Sequence, residues 1–200
     1  MDLALENFKI LINKASESSN FLRIDMESSK NTDSTFKIYN DLFKIYPKVG
    51  VVLQAYLKRS IADIEKLAGP GFNARICKGI YKENKNIAYQ DPEDISKNFL
   101  AMAKIMLAKN SYACYATHDL QLIDDLVSLT KEMDADPSKF EFQVLYGVPM
   151  KGKLKKLLKS GYKVRVYVPY GPDWYEYSLR RLKENPNIAG YVIKNLFVKK

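Results

Sequence analysis

The chain holds only two cysteines, one histidine and one tryptophan in 200 residues. Cys77 and Cys114 each lie inside an apolar stretch, so they read as buried thiols in a reducing compartment rather than as a disulfide. So few sulfur and imidazole groups leave a zinc site short of ligands. Neither a Cys-x-x-Cys pair nor a His-Glu-x-x-His stretch occurs, and no metal is expected. Gly-rich phosphate loops of the Rossmann or P-loop kind are missing as well. No run approaches the roughly 20 apolar residues of a membrane span. The opening MDLALENFKILINK lacks a basic lead, an apolar core and a small-residue cleavage site. A cytoplasmic protein is the expectation.

What is present has the balance of a globular domain. Hydrophobic residues make up 46% and charged residues 28%, which excludes a disordered or collagen-like chain. At this length one domain over residues 1–200 is expected, with room for a sizeable core. The net charge of +9 raises nucleic acid, an anionic membrane surface and an anionic ligand as partners. The densest basic run, Lys151 to Lys159, carries Leu154, Leu157 and Leu158 at helical spacing, the pattern of an amphipathic helix with a solvated basic face. No aromatic-interleaved binding motif accompanies it, so nucleic acid is not the expected partner.

Short apolar runs alternate with longer amphipathic ones. Leu5, Phe8 and Ile12, at i, i+3 and i+7, predict a first helix. Strands are predicted at Phe21 to Met26, Val51 to Tyr56, Ala74 to Tyr81, Tyr112 to His118, Phe140 to Tyr146, Tyr162 to Pro169 and Gly190 to Lys194. In the first of these, Leu22, Ile24 and Met26 share one face and Arg23 and Asp25 the other. Strand starts recur every 22 to 38 residues, the size of a βα unit, so an α/β fold with a parallel sheet follows, either a barrel or an open doubly wound sheet. Asp25, Gln54, Arg75, Thr117, Gln143 and Tyr167 put polar groups on one strand face near the C-terminal ends. A doubly wound sheet buries apolar residues on both faces, whereas a barrel mouth accounts for this placement. Seven predicted strands, and a leading helix with no strand before it, point to a (β/α)8 TIM-type barrel that lacks one βα unit at the front.

The residues alone leave the chemistry open. Asp25 and Arg75, on neighbouring inward faces, read equally as a structural ion pair or a catalytic constellation. Thr117, His118 and Asp119 end a strand, where a lone histidine is either a hydrogen-bonded structural residue or a ligand contact. In GPDWYEYSLRRLKENP, Asp173 and Glu176 open a helix in capping-box fashion and Pro186 closes it. Arg180 and Arg181 then lie mid-helix. They either decorate a solvated face or clamp a carboxylate or phosphate bidentately, with Glu184 in reach at i+3 or i+4.

Six segments, FLRIDMESS, VGVVLQAYLKR, ARICKGIYKE, YATHD, FEFQVLYGV and VRVYVPYGPDWYEYSLRRLKENP, resemble in order the strand-end motifs of the proline dehydrogenase family. The resemblance implies a barrel that binds FAD at the C-terminal strand ends and oxidises L-proline to 1-pyrroline-5-carboxylate. By similarity, Asp25 is the active-site aspartate, Met26 a flavin contact and Gln54 a hydrogen-bond partner of the flavin. Arg75 falls beside the hydride-accepting flavin nitrogen, where a fixed cation would stabilise developing charge. Lys78, Gly79 and Ile80 fall where the family meets the FAD phosphate and ribityl chain, and Thr117 and His118 match a further FAD contact. Tyr81 and Tyr167 match residues lining the proline ring. Arg180 and Arg181 match the carboxylate clamp, and Glu184 a glutamate four residues beyond it. Electrons would pass on to a membrane quinone, and the +9 charge would suit peripheral contact with the inner face of an anionic bilayer.

Two departures from the family stand out. Ile80 replaces a usually small alanine. The family's first strand carries a lysine that also holds the substrate carboxylate, and this chain starts after it, which suggests a truncated or split gene product or a strand supplied from elsewhere. With that strand absent, weak FAD binding, little turnover and self-association through open strand edges are expected of residues 1–200 alone. The rival reading is an inactive barrel fragment or pseudoenzyme serving as an assembly partner.

Overall fold

Alternation of strand and helix runs through the computed structural model, which describes residues 2–168, 170–172 and 179. In chain order the elements are α1 (Asp2–Glu17), β1 (Leu22–Ile24), α2 (Thr32–Ile45), β2 (Val49–Gln54), α3 (Ser60–Leu67), β3 (Asn73–Cys77), α4 (Pro92–Ala108), β4 (Tyr112–Ala116), α5 (Leu120–Glu132), β5 (Phe140–Leu145), α6 (Lys153–Lys159) and β6 (Val164–Tyr167). The capping signals are local. Asp91 accepts from the Glu93 N–H with Pro92 at the first helical position of α4, and Asp119 accepts from the Gln121 and Leu122 N–H groups to start α5.

All six strands are parallel and follow one another in the order β1-β2-β3-β4-β5-β6. A doubly wound sheet would reverse its order at a switch point. Among the described strands the order never reverses, and the sheet is the half-barrel of the two architectures. Alternation then divides the side chains between two faces. Ile24, Val51, Leu53, Ile76, Tyr115 and Phe142 turn outward and join Leu42, Ile64, Met102, Leu126 and Leu157 of the helices in one core, each no more than 4% exposed. Tyr115, Phe140, Phe142 and Tyr162 interlock within it, with ring centroids 5.6 to 6.2 Å apart. Strand register puts Arg23, Gln54, Arg75, Cys114, Glu141, Gln143 and Arg165 together on the other, concave face.

Several expectations shift. The strands stop earlier than read: β1 at Ile24, β3 at Cys77 and β4 at Ala116. Beyond β3 the chain turns at Gly79, whose φ of +106° ends extended pairing. Thr117 was expected on the inner face with Gln143, but Ala116 is the residue in register with Gln143, which leaves Thr117 one step out of phase. Its hydroxyl accepts from the Asp119 N–H instead. Within the Lys151–Lys159 run, residues Lys153–Lys159 form a helix, with Leu157 buried and Leu154 against the core. Leu158, though, is 58% exposed, because α6 offers the sheet only a narrow stripe. The predicted strand Gly190 to Lys194 lies outside the described residues.

Within the sheet, Gly50 is required by close approach. A Cβ on Gly50 would stand 2.4 Å from the Asn73 carbonyl oxygen and 2.6 Å from Arg23 Nη1. Gly50→Ala is therefore expected to destabilise the fold by about 1–3 kcal/mol, the cost of overpacking. An unchanged urea midpoint would contradict this packing of Arg23 over β2.

Candidate active site

The concave face is built in tiers, beginning at the N-terminal ends of the strands. Arg23 lies across the floor. Its Nη1 donates to the carbonyls of Val51 and Asn73 at 2.9 and 3.0 Å, and its Nη2 donates to Asn73 Oδ1 at 2.6 Å and approaches Cys114 Sγ at 3.4 Å. Burial lowers the Arg23 pKa, and burial likewise raises the Cys114 thiol to about 12. Cys114 is a buried free thiol, as its apolar context suggested, whereas Cys77 is only half-buried.

Beside this floor sits Glu141, 4% exposed. Burial pushes its pKa up, but hydrogen bonds from Arg165, Gln143 and Tyr112 outweigh burial and hold the group below the ordinary carboxylate range. Arg165 donates Nε and Nη2 to the two oxygens at 2.6 and 3.0 Å, and the Tyr112 hydroxyl donates at 3.0 Å. Gln143 Nε2 donates to the same carboxylate at 2.6 Å, and Gln143 Oε1 accepts from Arg75 Nε at 2.8 Å. Arg75 Nη1 then reaches Asp25 Oδ1 at 3.1 Å, at the C-terminal mouth. The two residues that the sequence left as either a structural ion pair or a catalytic constellation do pair, at an open position where the Asp25 side chain is 74% exposed.

Around the mouth, Gln54 Nε2 donates to the Glu27 carbonyl at 2.7 Å, while Gln54 Oε1 is buried with no donor. After β3, Lys78 Nζ meets Asp119 Oδ2 at 2.6 Å. Gly79 packs so closely on Tyr56 that a Cβ would lie 2.1 Å from its ring. Ile80 and Tyr81 are 44% and 38% exposed, and the Tyr81 hydroxyl donates to Glu27. His118 Nε2 accepts from the Leu145 N–H at 2.9 Å, and desolvation lowers its pKa. Tyr167 stands at the end of β6, in register with Leu145. Met26 is placed differently. Its side chain is 8% exposed and packed into the core, so a ligand contact would run through its main chain. Arg180, Arg181 and Glu184 lie outside the described residues.

Sequence reasoning therefore found most of the mouth and missed the floor. The alternation Phe140, Glu141, Phe142, Gln143 already set a carboxylate and an amide on one face of β5. Arg165 on β6 is in register with Gln143. What was lacking was the register that brings Arg23, Asn73 and Tyr112 to the same place.

Comparison with known proteins agrees with this architecture. The family model for proline dehydrogenase matches residues 3–193. The chain belongs to the proline dehydrogenase family. It is 37% identical over 202 residues to proline dehydrogenase 1 of Bacillus subtilis, covering 99% of this chain and 65% of that protein. It is 38% identical over 197 residues to the proline dehydrogenase of Deinococcus radiodurans, covering 98% of this chain and 63% of that one. The chain thus spans just under two thirds of the length of these relatives. In fold it is similar to proline utilization A from Bdellovibrio bacteriovorus, with a TM-score of 0.83 and 23% identity over 92% of this chain and 22% of that one.

The histidine yields a pH prediction. Neutral His118 accepts at Nε2, and protonation removes that acceptor, so its folded pKa lies below the unfolded value. Stability then rises with pH below about 6.5 and levels off above it. Between about pH 7 and pH 5 the urea midpoint is expected to fall more steeply for the native protein than for His118→Gln. Parallel slopes would contradict the assignment.

Proposed function

We propose that this chain forms the catalytic barrel of a proline dehydrogenase, holding FAD at the mouth and oxidising L-proline to 1-pyrroline-5-carboxylate. One observation carries the reading: in a member of this family, the Arg75–Asp25 pair and the unpartnered oxygen of Gln54 belong to the same concave face. A buried acceptor without a donor costs about 1–3 kcal/mol, and a flavin ring N–H is the kind of group that would meet it. Lys78 offers a cation suited to a pyrophosphate, and Gly79 keeps the loop against Tyr56 where a side chain would not fit. The residues present therefore fit the cofactor.

When bound, FAD supplies the two-electron acceptor for the hydride leaving the proline ring. Arg75, held by Gln143 and Asp25, sets a fixed cation where negative charge develops in the transition state. His118 accepts from the Leu145 N–H at Nε2, a contact made by the neutral imidazole, and desolvation lowers its pKa. Thr117 acts through the turn that presents Asp119, the partner of Lys78. By the family resemblance, Tyr81 and Tyr167 line the ring, Ile80 borders the cofactor, and Arg180 and Arg181 clamp the carboxylate with Glu184 beside them. Much of the rate gain in such a site comes from orientation.

The same reading gives a cytoplasmic enzyme that hands electrons to a membrane quinone, with the +9 charge favouring contact with an anionic bilayer. Among the described residues no helix is long and apolar enough to cross a membrane, so such contact would be peripheral. β1 forms one edge of the described sheet, and pairing there is the route by which copies would self-associate.

The clamp is tested by Arg180→Ala and Arg181→Ala. Each removes a charge-assisted pair of about 1.5–3 kcal/mol, so affinity for a carboxylate-bearing proline analogue is expected to fall at least about tenfold, while flavin content is retained. Unchanged analogue affinity in both variants, measured by titration of the flavin spectrum, would contradict the assignment.

A further inference from the structure

The hydrogen bonds that lead to Arg75 can run in only one direction. The Glu141 carboxylate accepts from Arg165 and Tyr112 and has no proton to donate. Gln143 must therefore turn its NH2 toward Glu141, at 2.6 Å. That leaves its oxygen for Arg75 Nε, which can only donate, at 2.8 Å. A flipped amide would set NH2 against a guanidinium and C=O against a carboxylate. Together with Asp25 on Nη1, the bond from Gln143 holds the Arg75 guanidinium at two points. Glu141 and Gln143 are 4% and 6% exposed, so their effect on the mouth passes through Arg75.

The chemistry of the link matters as much as its geometry. A carboxylate placed directly on Arg75 Nε would orient the guanidinium equally well, but it would also compensate its charge and weaken its hold on a developing anion. The amide of Gln143 orients without adding a second, buried carboxylate to the exposed Asp25 already on Nη1. It keeps the Glu141 charge one side chain away, where Arg165 neutralises it.

We propose that Glu141 and Gln143 are positioning residues for the proposed oxidation, a directional relay that orients Arg75 while leaving its positive charge available to the flavin. The proposal rests on the reading of Arg75 as the cation beside the hydride acceptor.

Gln143→Leu and the exchange Glu141→Gln with Gln143→Glu test it together in flavin-loaded protein. Gln143→Leu removes the orienting acceptor. The limiting rate of flavin reduction by L-proline is expected to fall about tenfold or more, with the proline dissociation constant changed by less than about threefold. In the exchange the amide at position 141 accepts from Arg165 Nη2 and Tyr112 and donates to the new carboxylate at position 143, which still accepts from Arg75 Nε; the bond from Arg165 Nε, which then faces an NH2, is the one lost. With a carboxylate set directly on Arg75, the flavin reduction potential is expected to shift negative. A purely structural role predicts an unchanged potential in the exchange, and that result would overturn the proposal. So would a native reduction rate in Gln143→Leu.

A second measurement separates this proposal from the functional reading. In flavin-free protein, the unfolding effects of Arg75→Met and Gln143→Leu should be non-additive by about fivefold or more in the unfolding constant. Additive effects would overturn the relay even if proline reduces the flavin. Native protein that takes up no FAD, or whose flavin proline leaves oxidised, would instead overturn the functional reading.

Discussion

A carboxylate as buried as Glu141 persists only where hydrogen bonds offset its desolvation, and here donors from three strands converge on it: Tyr112 of β4, Gln143 of β5 and Arg165 of β6. Two of these donors stand on strands other than its own, so the network also tests strand register. A slip of one residue would turn Arg165 outward and leave the charge unpaired, a cost of several kcal/mol. Arg23 plays the matching part on the other side, tying β1 to the backbones of β2 and β3. Barrel interiors are commonly filled with branched apolar side chains. This one is held by charges, and the apolar packing that drives folding lies on the outer face against the helices.

That division explains why the mouth can be chemically specific. Arg75 is aimed from below by a network that is complete before any ligand arrives. Gln54 has its amide N–H committed to Glu27 and its oxygen unmet, and the buried Tyr56 hydroxyl at the mouth is unmet as well. Buried groups without partners are rare in folded proteins and call for an explanation, such as a bound water or ligand. Lys78, paired with Asp119 at 2.6 Å, sets a cation beside the start of α5. The folding cost of these polar groups is met by the convex core, and the site inherits its rigidity from that arrangement.

Much of this was readable in the sequence. The spacing of apolar runs located β1 to β6 and α1, and polar residues recurring on one strand face favoured a barrel over a doubly wound sheet. The sequential strand order bears that out. Three kinds of information were beyond pattern. Strand ends depend on turn geometry, so a positive φ at Gly79 cut β3 shorter than its composition suggested. Phase depends on register, which puts Ala116 opposite Gln143 and leaves Thr117 to turn toward Asp119, whereas Met26 follows the apolar face it shares with Ile24. Contacts between distant segments need the register. Nothing in LRI, NARIC or YACYA taken singly says that Arg23, Asn73 and Cys114 meet.

The central claim is that this polar face holds a flavin and passes it the electrons of proline. The most direct test is the visible spectrum of the whole protein that carries this chain, loaded with FAD and mixed anaerobically with L-proline. Loss of the oxidised flavin band on adding L-proline, with 1-pyrroline-5-carboxylate formed in step, is the predicted result. Protein that retains no FAD, or a flavin band that L-proline leaves unchanged, would contradict it.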